Sequence, residues 1–259
     1  MTVEYLNNNE NVIRQFALYS FSPNNSVDIL LDKWAFYNHV KRYRTISIPE
    51  SIVPSEELGN IDGSFFPCVC KPIKSFWNKN TKIEKVQFFS DKIHFMNYFN
   101  GNNVDVRDMD KIILQKYVDG PDTNIVFCAM HINDGDVSSV ITGRKIFQYP
   151  LGFGIASACI TEHLPEIEKI TKKILVGLGY SGPAEAEFKW DDLKNEFQVI
   201  EINPRSWFNN SLSEAAGQDI IYDTYCFAIG DKNKKINEFI KKEIIWIDEV
   251  SFVGSVYRS

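Results

Sequence analysis

The stretch from Gly182 to Trp207, GPAEAEFKWDDLKNEFQVIEINPRSW, constrains this chain more than any other. It holds two β-type runs, Ala184 to Trp190 and Glu196 to Ile202, joined by the polar segment Asp191 to Asn195. Such a pattern predicts an antiparallel hairpin. The hairpin brings Glu187 beside Glu201, and because strand residues two apart share a face, Asn203 projects with Glu201. Phe188, Val199, Ile200 and Ile202 flank these acids, so the carboxylates belong to apolar strands and need a partner. Two carboxylates and an amide oxygen, with no His or Cys nearby, form a hard all-oxygen set suited to Mg²⁺, with Mn²⁺ as the other candidate. The plain alternative is a solvated hairpin face with ordinary surface acids.

The rest of the chain reads as short β runs with helices grouped between them. Strands are expected over Phe65 to Lys71, Lys85 to Ser90, Lys111 to Val118, Asn124 to Ile132 and Val137 to Lys145. Asp119-Gly120-Pro121 and Asn133-Asp134-Gly135 carry turn chemistry, the second between two β runs. Helices are expected over Asp32 to Arg44, Lys92 to Asn100 and Leu164 to Leu178. The last has Pro165 in its first turn, a stripe of Ile167, Ile170, Ile174, Leu175 and Leu178, and Gly179 as a stop. Val12 to Phe21 is apolar without a decisive period, and Arg205 to Gly230 is helical again. The order predicts α+β layers rather than strict βαβ alternation.

A chain of 259 residues can build a sizeable core without disulfide staples. Its five cysteines, Cys68, Cys70, Cys128, Cys159 and Cys226, include no C-x-x-C pair and read as reduced, buried thiols. A formal charge of -6 argues against nucleic acid as a partner, since phosphate-backbone binders concentrate positive charge. No run approaches the roughly 18 apolar residues of a membrane span, and the polar N-terminus is not signal-like, so no membrane and a cytoplasmic location are expected. There is neither a G-x-S-x-G elbow nor a G-x-x-x-x-G-K-[ST] loop. Gly152-Phe153-Gly154 reads as a mobile loop near the substrate.

Glu201-Ile202-Asn203-Pro204 resembles the last metal-binding strand of the ATP-grasp superfamily, an acidic residue followed by E-x-N-P, and other segments follow the superfamily's order. The runs GRKIFQYPLGFG, EFKWD and IEINPRSW are similar to the branch that includes D-aspartate ligase and other carboxylate-amine ligases. The resemblance implies two α+β subdomains whose antiparallel sheets grip ATP between them. Residues 31–120 would form the small subdomain and 121–235 the large one with the metal site, flanked by an N-terminal remnant, 1–30, and a C-terminal extension, 236–259.

It further implies roles for single residues. Lys71, beside a flexible segment from Ser75 to Lys82, would bridge α- and β-phosphates, and Lys33 would assist; a solvated lysine is the plain reading of each. Gln115, Lys116, Tyr117 and Val118 would form the adenine hinge, with the backbone of Lys116 and Val118 reading the base edge. Asp122 would accept ribose hydroxyls, although aspartate after Gly-Pro is also simple turn chemistry. Arg144 and Lys145 would hold the γ-phosphate or an acyl-phosphate, unless they are a solvated pair at a strand end. Arg205 would grip a carboxylate or phosphate.

The implied reaction is phosphoryl transfer from ATP to a carboxylate, then attack by an amine, both small molecules. Members of this branch usually carry an N-terminal Rossmann-like domain, which this sequence is expected to lack; a homodimer or a partner subunit would supply it. A non-catalytic or partner-dependent ATP-binding module and a small-molecule kinase are the two other readings.

Overall fold

The computed structural model describes residues 2–21, 24–54, 60–74, 86–101, 106–150, 152–231 and 243–257. They divide into two compact units, Leu31–Asp119 and the combination of Met1–Leu30 with Gly120–Ser259. The chain opens with three short helices, α1 (Thr2–Asn8), α2 (Glu10–Ile13) and α3 (Asn25–Leu31). The first two occupy an Asn-rich segment with little periodic signal in sequence, the second reaching into the run from Val12 whose period is not decisive. Their segment is tied to the larger unit at its end, where Phe21 packs on Gly182 so closely that a Cβ there would lie 2.6 Å from the Phe21 Cβ.

The smaller unit contains α4 (Lys33–Val40), β1 (Ser51–Ile52), β2 (Cys68–Pro72), β3 (Gln87–Phe89), α5 (Lys92–Gly101) and β4 (Ile112–Lys116). Asp32 starts α4 by accepting the Ala35 N–H at 2.8 Å, the usual capping chemistry. The strands form an antiparallel sheet in the order β1-β4-β2-β3. Period-2 alternation sorts its two faces. Cys68, Cys70, Ile112 and Leu114 join Phe89 and the α5 residues Phe95 and Phe99 in one core. Lys71 and Gln115 consequently take the opposite face. Residues 75–82, expected to be flexible beside Lys71, lie outside the described residues.

The larger unit continues with β5 (Ile125–Asn133), β6 (Asp136–Tyr149), β7 (Ile155–Thr161), α6 (Pro165–Gly177), β8 (Gly182–Asp191), β9 (Glu196–Asn203), α7 (Ser211–Ala215), α8 (Ile220–Ile229), β10 (Ile245–Ile247) and α9 (Glu249–Val256). Its sheet runs β10-β7-β6-β5-β8-β9, each pair antiparallel. Central β5 is buried at eight successive positions, which accounts for its apolar run Ile125 to Met130 and leaves His131 as the one buried polar residue among the eight. On one face α6 packs with Ile167, Ile174 and Leu175 buried. On the other, Phe127, Ala129, Ile141 and Cys159 meet Trp207, Leu212, Ala216 and Ile220. Gly152, Phe153 and Gly154 form the turn from β6 into β7. No helix among the described residues is long and apolar enough to cross a membrane.

Candidate functional site

The hairpin of β8 and β9 is set by its turn. Asp191 Oδ1 accepts the N–H groups of Leu193 and Lys194 at 3.0 and 3.2 Å, and Asn195 takes the left-handed φ of 54° that closes the loop. The resulting register places Glu187 directly opposite Glu201, and Glu185 opposite Asn203. A bulge follows between Glu187 and Phe188, a device common beside functional sites. The three residues expected as a metal set are therefore brought together.

Their contacts define the electrostatics. Lys145, 7% exposed, reaches across β5 from β6 and donates to Glu187 Oε2 at 2.6 Å. Burial alone would pull the Lys145 ammonium down, but the adjoining Glu187, with Glu185 and Glu201 nearby, holds it above the ordinary lysine value. Asn203 Nδ2 donates to Glu201 Oε1 at 3.3 Å, and Arg205 Nη2 donates to Asn203 Oδ1 at 3.3 Å. Gly143 makes room in this face, because a Cβ there would lie 2.5 Å from both the Phe127 ring and the Ile160 carbonyl oxygen.

Glu185 went unassigned in sequence. It shares its face with Glu187 by the same two-residue spacing that selected Glu201 and Asn203, so the signal was present. Burial pushes its carboxyl up to about 8, Glu187 and Glu201 push the same way, and Lys145 and Arg205 oppose them. Asn209, 4% exposed, donates its amide to Cys159 Sγ at 3.2 Å.

Arg144 is not brought to this cluster. Adjacent strand residues face opposite ways, so while Lys145 points at the acids, Arg144 pairs bidentately with Glu162 at 2.6 and 3.0 Å and donates to the Thr123 carbonyl. Asp122 lies in the larger unit, its Oδ1 accepting from Gln148 Nε2 at 2.6 Å.

The remaining candidates belong to the smaller unit. Lys71 Nζ donates to Gln115 Oε1 at 3.0 Å, and Gln115 Nε2 donates to Ser51 Oγ at 3.3 Å, so the Gln115 amide is already engaged. Lys33 opens α4, its N–H on the Ile73 carbonyl at 2.9 Å, which sets the start of that helix beside the end of β2. At the hinge the N–H of Lys116 is committed to Glu50 O at 2.8 Å and that of Tyr117 to Pro67 O at 2.9 Å. Of the Lys116 backbone groups, the N–H is thus held within the smaller unit. The Val118 N–H donates to no group among the described residues.

A metal fits the donor chemistry in a specific way. Among the described residues no three His, Cys, Asp or Glu side chains converge to hold an ion by themselves. Glu187, Glu201 and the Asn203 amide are thus an incomplete shell, the kind that Mg²⁺ completes with waters and substrate phosphates.

Residues 155–236 match the family model described as carbamoyl-phosphate synthase L chain, ATP binding domain. D-aspartate ligase from Enterococcus faecium is 20% identical over 213 residues, covering 78% of this chain and 50% of that protein. The L-amino acid ligase from Bacillus licheniformis is similar in structure, with a TM-score of 0.62 at 17% identity over 83% of this chain and 52% of that one. The biotin carboxylase domain of 2-oxoglutarate carboxylase from Hydrogenobacter thermophilus, solved with MgADP and bicarbonate, gives a TM-score of 0.66 at 18% identity over 93% and 56%. The chain spans about half the length of the curated relative it matches.

Proposed function

The chain carries the ATP-grasp fold, and from that premise we propose that it binds MgATP and activates a carboxylate for attack by an amine. The γ-phosphoryl group passes to a carboxylate oxygen as ADP departs; the amine nitrogen then bonds to the acyl carbon as phosphate leaves. The observation that carries this reading is the register of Glu187 against Glu201 with the Asn203 amide on the latter, beside the cations Lys145 and Arg205.

Glu187, Glu201 and Asn203 would hold the metal, which supplies charge neutralisation at the transferring phosphates. Lys145 and Arg205 supply fixed positive charge for a carboxylate or acyl-phosphate, and neither needs to move a proton. Lys71, with Lys33, is assigned to the phosphates, the stretch Gln115–Val118 to adenine and Asp122 to ribose. Arg144 is left out of the catalytic set because its guanidinium is engaged on the opposite face. The similarity to D-aspartate ligase and L-amino acid ligase supports an amino acid as one substrate.

The test is a screen for ADP release over pairs of small carboxylates and amines, run with wild type and Glu201→Ala. Release that needs both co-substrates, and falls roughly 100-fold or more in the variant, is expected from loss of a metal ligand. Phosphate retained on a hydroxyl product would replace the ligase reading with a kinase. An unimpaired variant would remove the metal assignment.

A further inference from the structure

The turn Asp122–Asn124, at the entry to β5, is held more firmly than starting a strand requires. Asp122 Oδ1 accepts from Gln148 Nε2 at 2.6 Å, and the Thr123 carbonyl accepts from Arg144 Nη1. The Asn124 amide donates to Asp192 Oδ2 at 3.1 Å and to the Trp190 carbonyl at 3.4 Å. Gly120, at φ 116°, keeps space for that amide, since a Cβ there would lie 2.4 Å from Asn124 Nδ2. Every residue of the turn is therefore fixed from outside it, by β6 on one side and the β8–β9 hairpin on the other.

Gln148 is the buried member of this mount, only 1% exposed. Its backbone carbonyl accepts from Ser255 Oγ of α9 at 3.3 Å, and Ser255 Oγ lies 2.7 Å from Ser157 Oγ of β7, both serines being fully buried. A buried amide that gives its N–H to one oxygen of a half-buried carboxylate restricts the rotation of that carboxylate, and with it the directions its remaining lone pairs can take. A carboxylate aimed in advance binds a ligand hydroxyl without first losing rotamer freedom.

We propose that Gln148 is a positioning residue for nucleoside recognition, its buried amide aiming the Asp122 carboxylate at the vicinal hydroxyls of the nucleotide's ribose. This rests on the assignment of Asp122 to ribose. Arg144, carried on the same strand and bound to the next residue of the turn, serves the same mount, which gives this cation a purpose away from the phosphates.

Binding of MgATP, Mg-2′-deoxyATP and Mg-3′-deoxyATP is measured by calorimetry on the full chain for wild type, Gln148→Met and Asp122→Asn. Wild type is expected to prefer ATP over at least one deoxynucleotide by about tenfold or more, the value of a charge-assisted hydrogen bond. Gln148→Met, which keeps the bulk and removes the donor, is expected to lose most of that preference by weakening ATP alone. Parallel weakening of all three nucleotides would mark Gln148 as merely structural and overturn the proposal. Should Gln148→Met not fold, Gln148→Leu is read by the same two outcomes, while Asp122→Asn tests the premise separately: retention of the full preference refutes the assignment of Asp122 to ribose and this proposal with it. A wild type that binds ATP without discriminating sugars overturns this proposal alone, whereas one that binds no nucleotide overturns the ATP reading itself.

Discussion

Replacing Glu185 by Gln should make the metal-free protein more stable, and increasingly so as pH rises. The Glu185 carboxyl stands at about 8, against an ordinary value of 4.5, because burial and the neighbouring Glu187 and Glu201 disfavour its charge. A carboxyl whose pKa is raised by folding binds its proton more tightly in the native state. Its contribution to stability is complete below pH 4.5 and drains away as pH climbs towards 8. One unit is worth about 1.4 kcal/mol, so wild type should lose roughly 2 kcal/mol between pH 6 and pH 8 from this group. Glutamine has the same shape and does not titrate. Urea unfolding of both proteins in EDTA, at the two pH values, isolates the group by difference. The gap in favour of Glu185→Gln should widen by that amount at pH 8. Parallel pH profiles for the two proteins would refute the placement of Glu185 in the acidic cluster.

Two further outcomes follow from packing. Gly143→Ala forces a methyl to within 2.5 Å of the Phe127 ring and the Ile160 carbonyl, and should cost about 1–3 kcal/mol in urea unfolding; an unchanged midpoint would contradict it. All five cysteines are free and buried, and burial pushes the Cys68 and Cys159 thiols up to about 12. A disulfide-exchange reagent at pH 8 should therefore label these two only after denaturation, and rapid labelling of native protein would refute their burial.

Sequence disclosed the pairing of Glu187 with Glu201 because acids interrupting an apolar strand are costly unless they meet something. The same reasoning applied two residues earlier would have included Glu185. Strand β5 was legible as a β-type run over Asn124 to Ile132, whereas β7, with Ala156, Ser157, Ala158 and Cys159, offered small residues and no alternation. Arg144 and Lys145 look interchangeable in sequence, and only the pleat of β6 separates the ion pair with Glu162 from the one with Glu187. Gln148 lay hidden for another reason. Its partners Asp122 and Ser255 are 26 and 107 positions away, and no local pattern encodes such meetings.

The chain leaves the larger unit at Leu30 and rejoins it at Gly120, so Leu31–Asp119 is a single uninterrupted length. Emerging in order from a ribosome, that length can complete its own core while the preceding residues still lack their partners. Phe21 must wait for Gly182, and Asn24 for the Gly179 carbonyl, to which it donates at 3.3 Å across 155 positions. Assembly of the larger unit is thus delayed by loop closure, and its early residues stay exposed longest during synthesis.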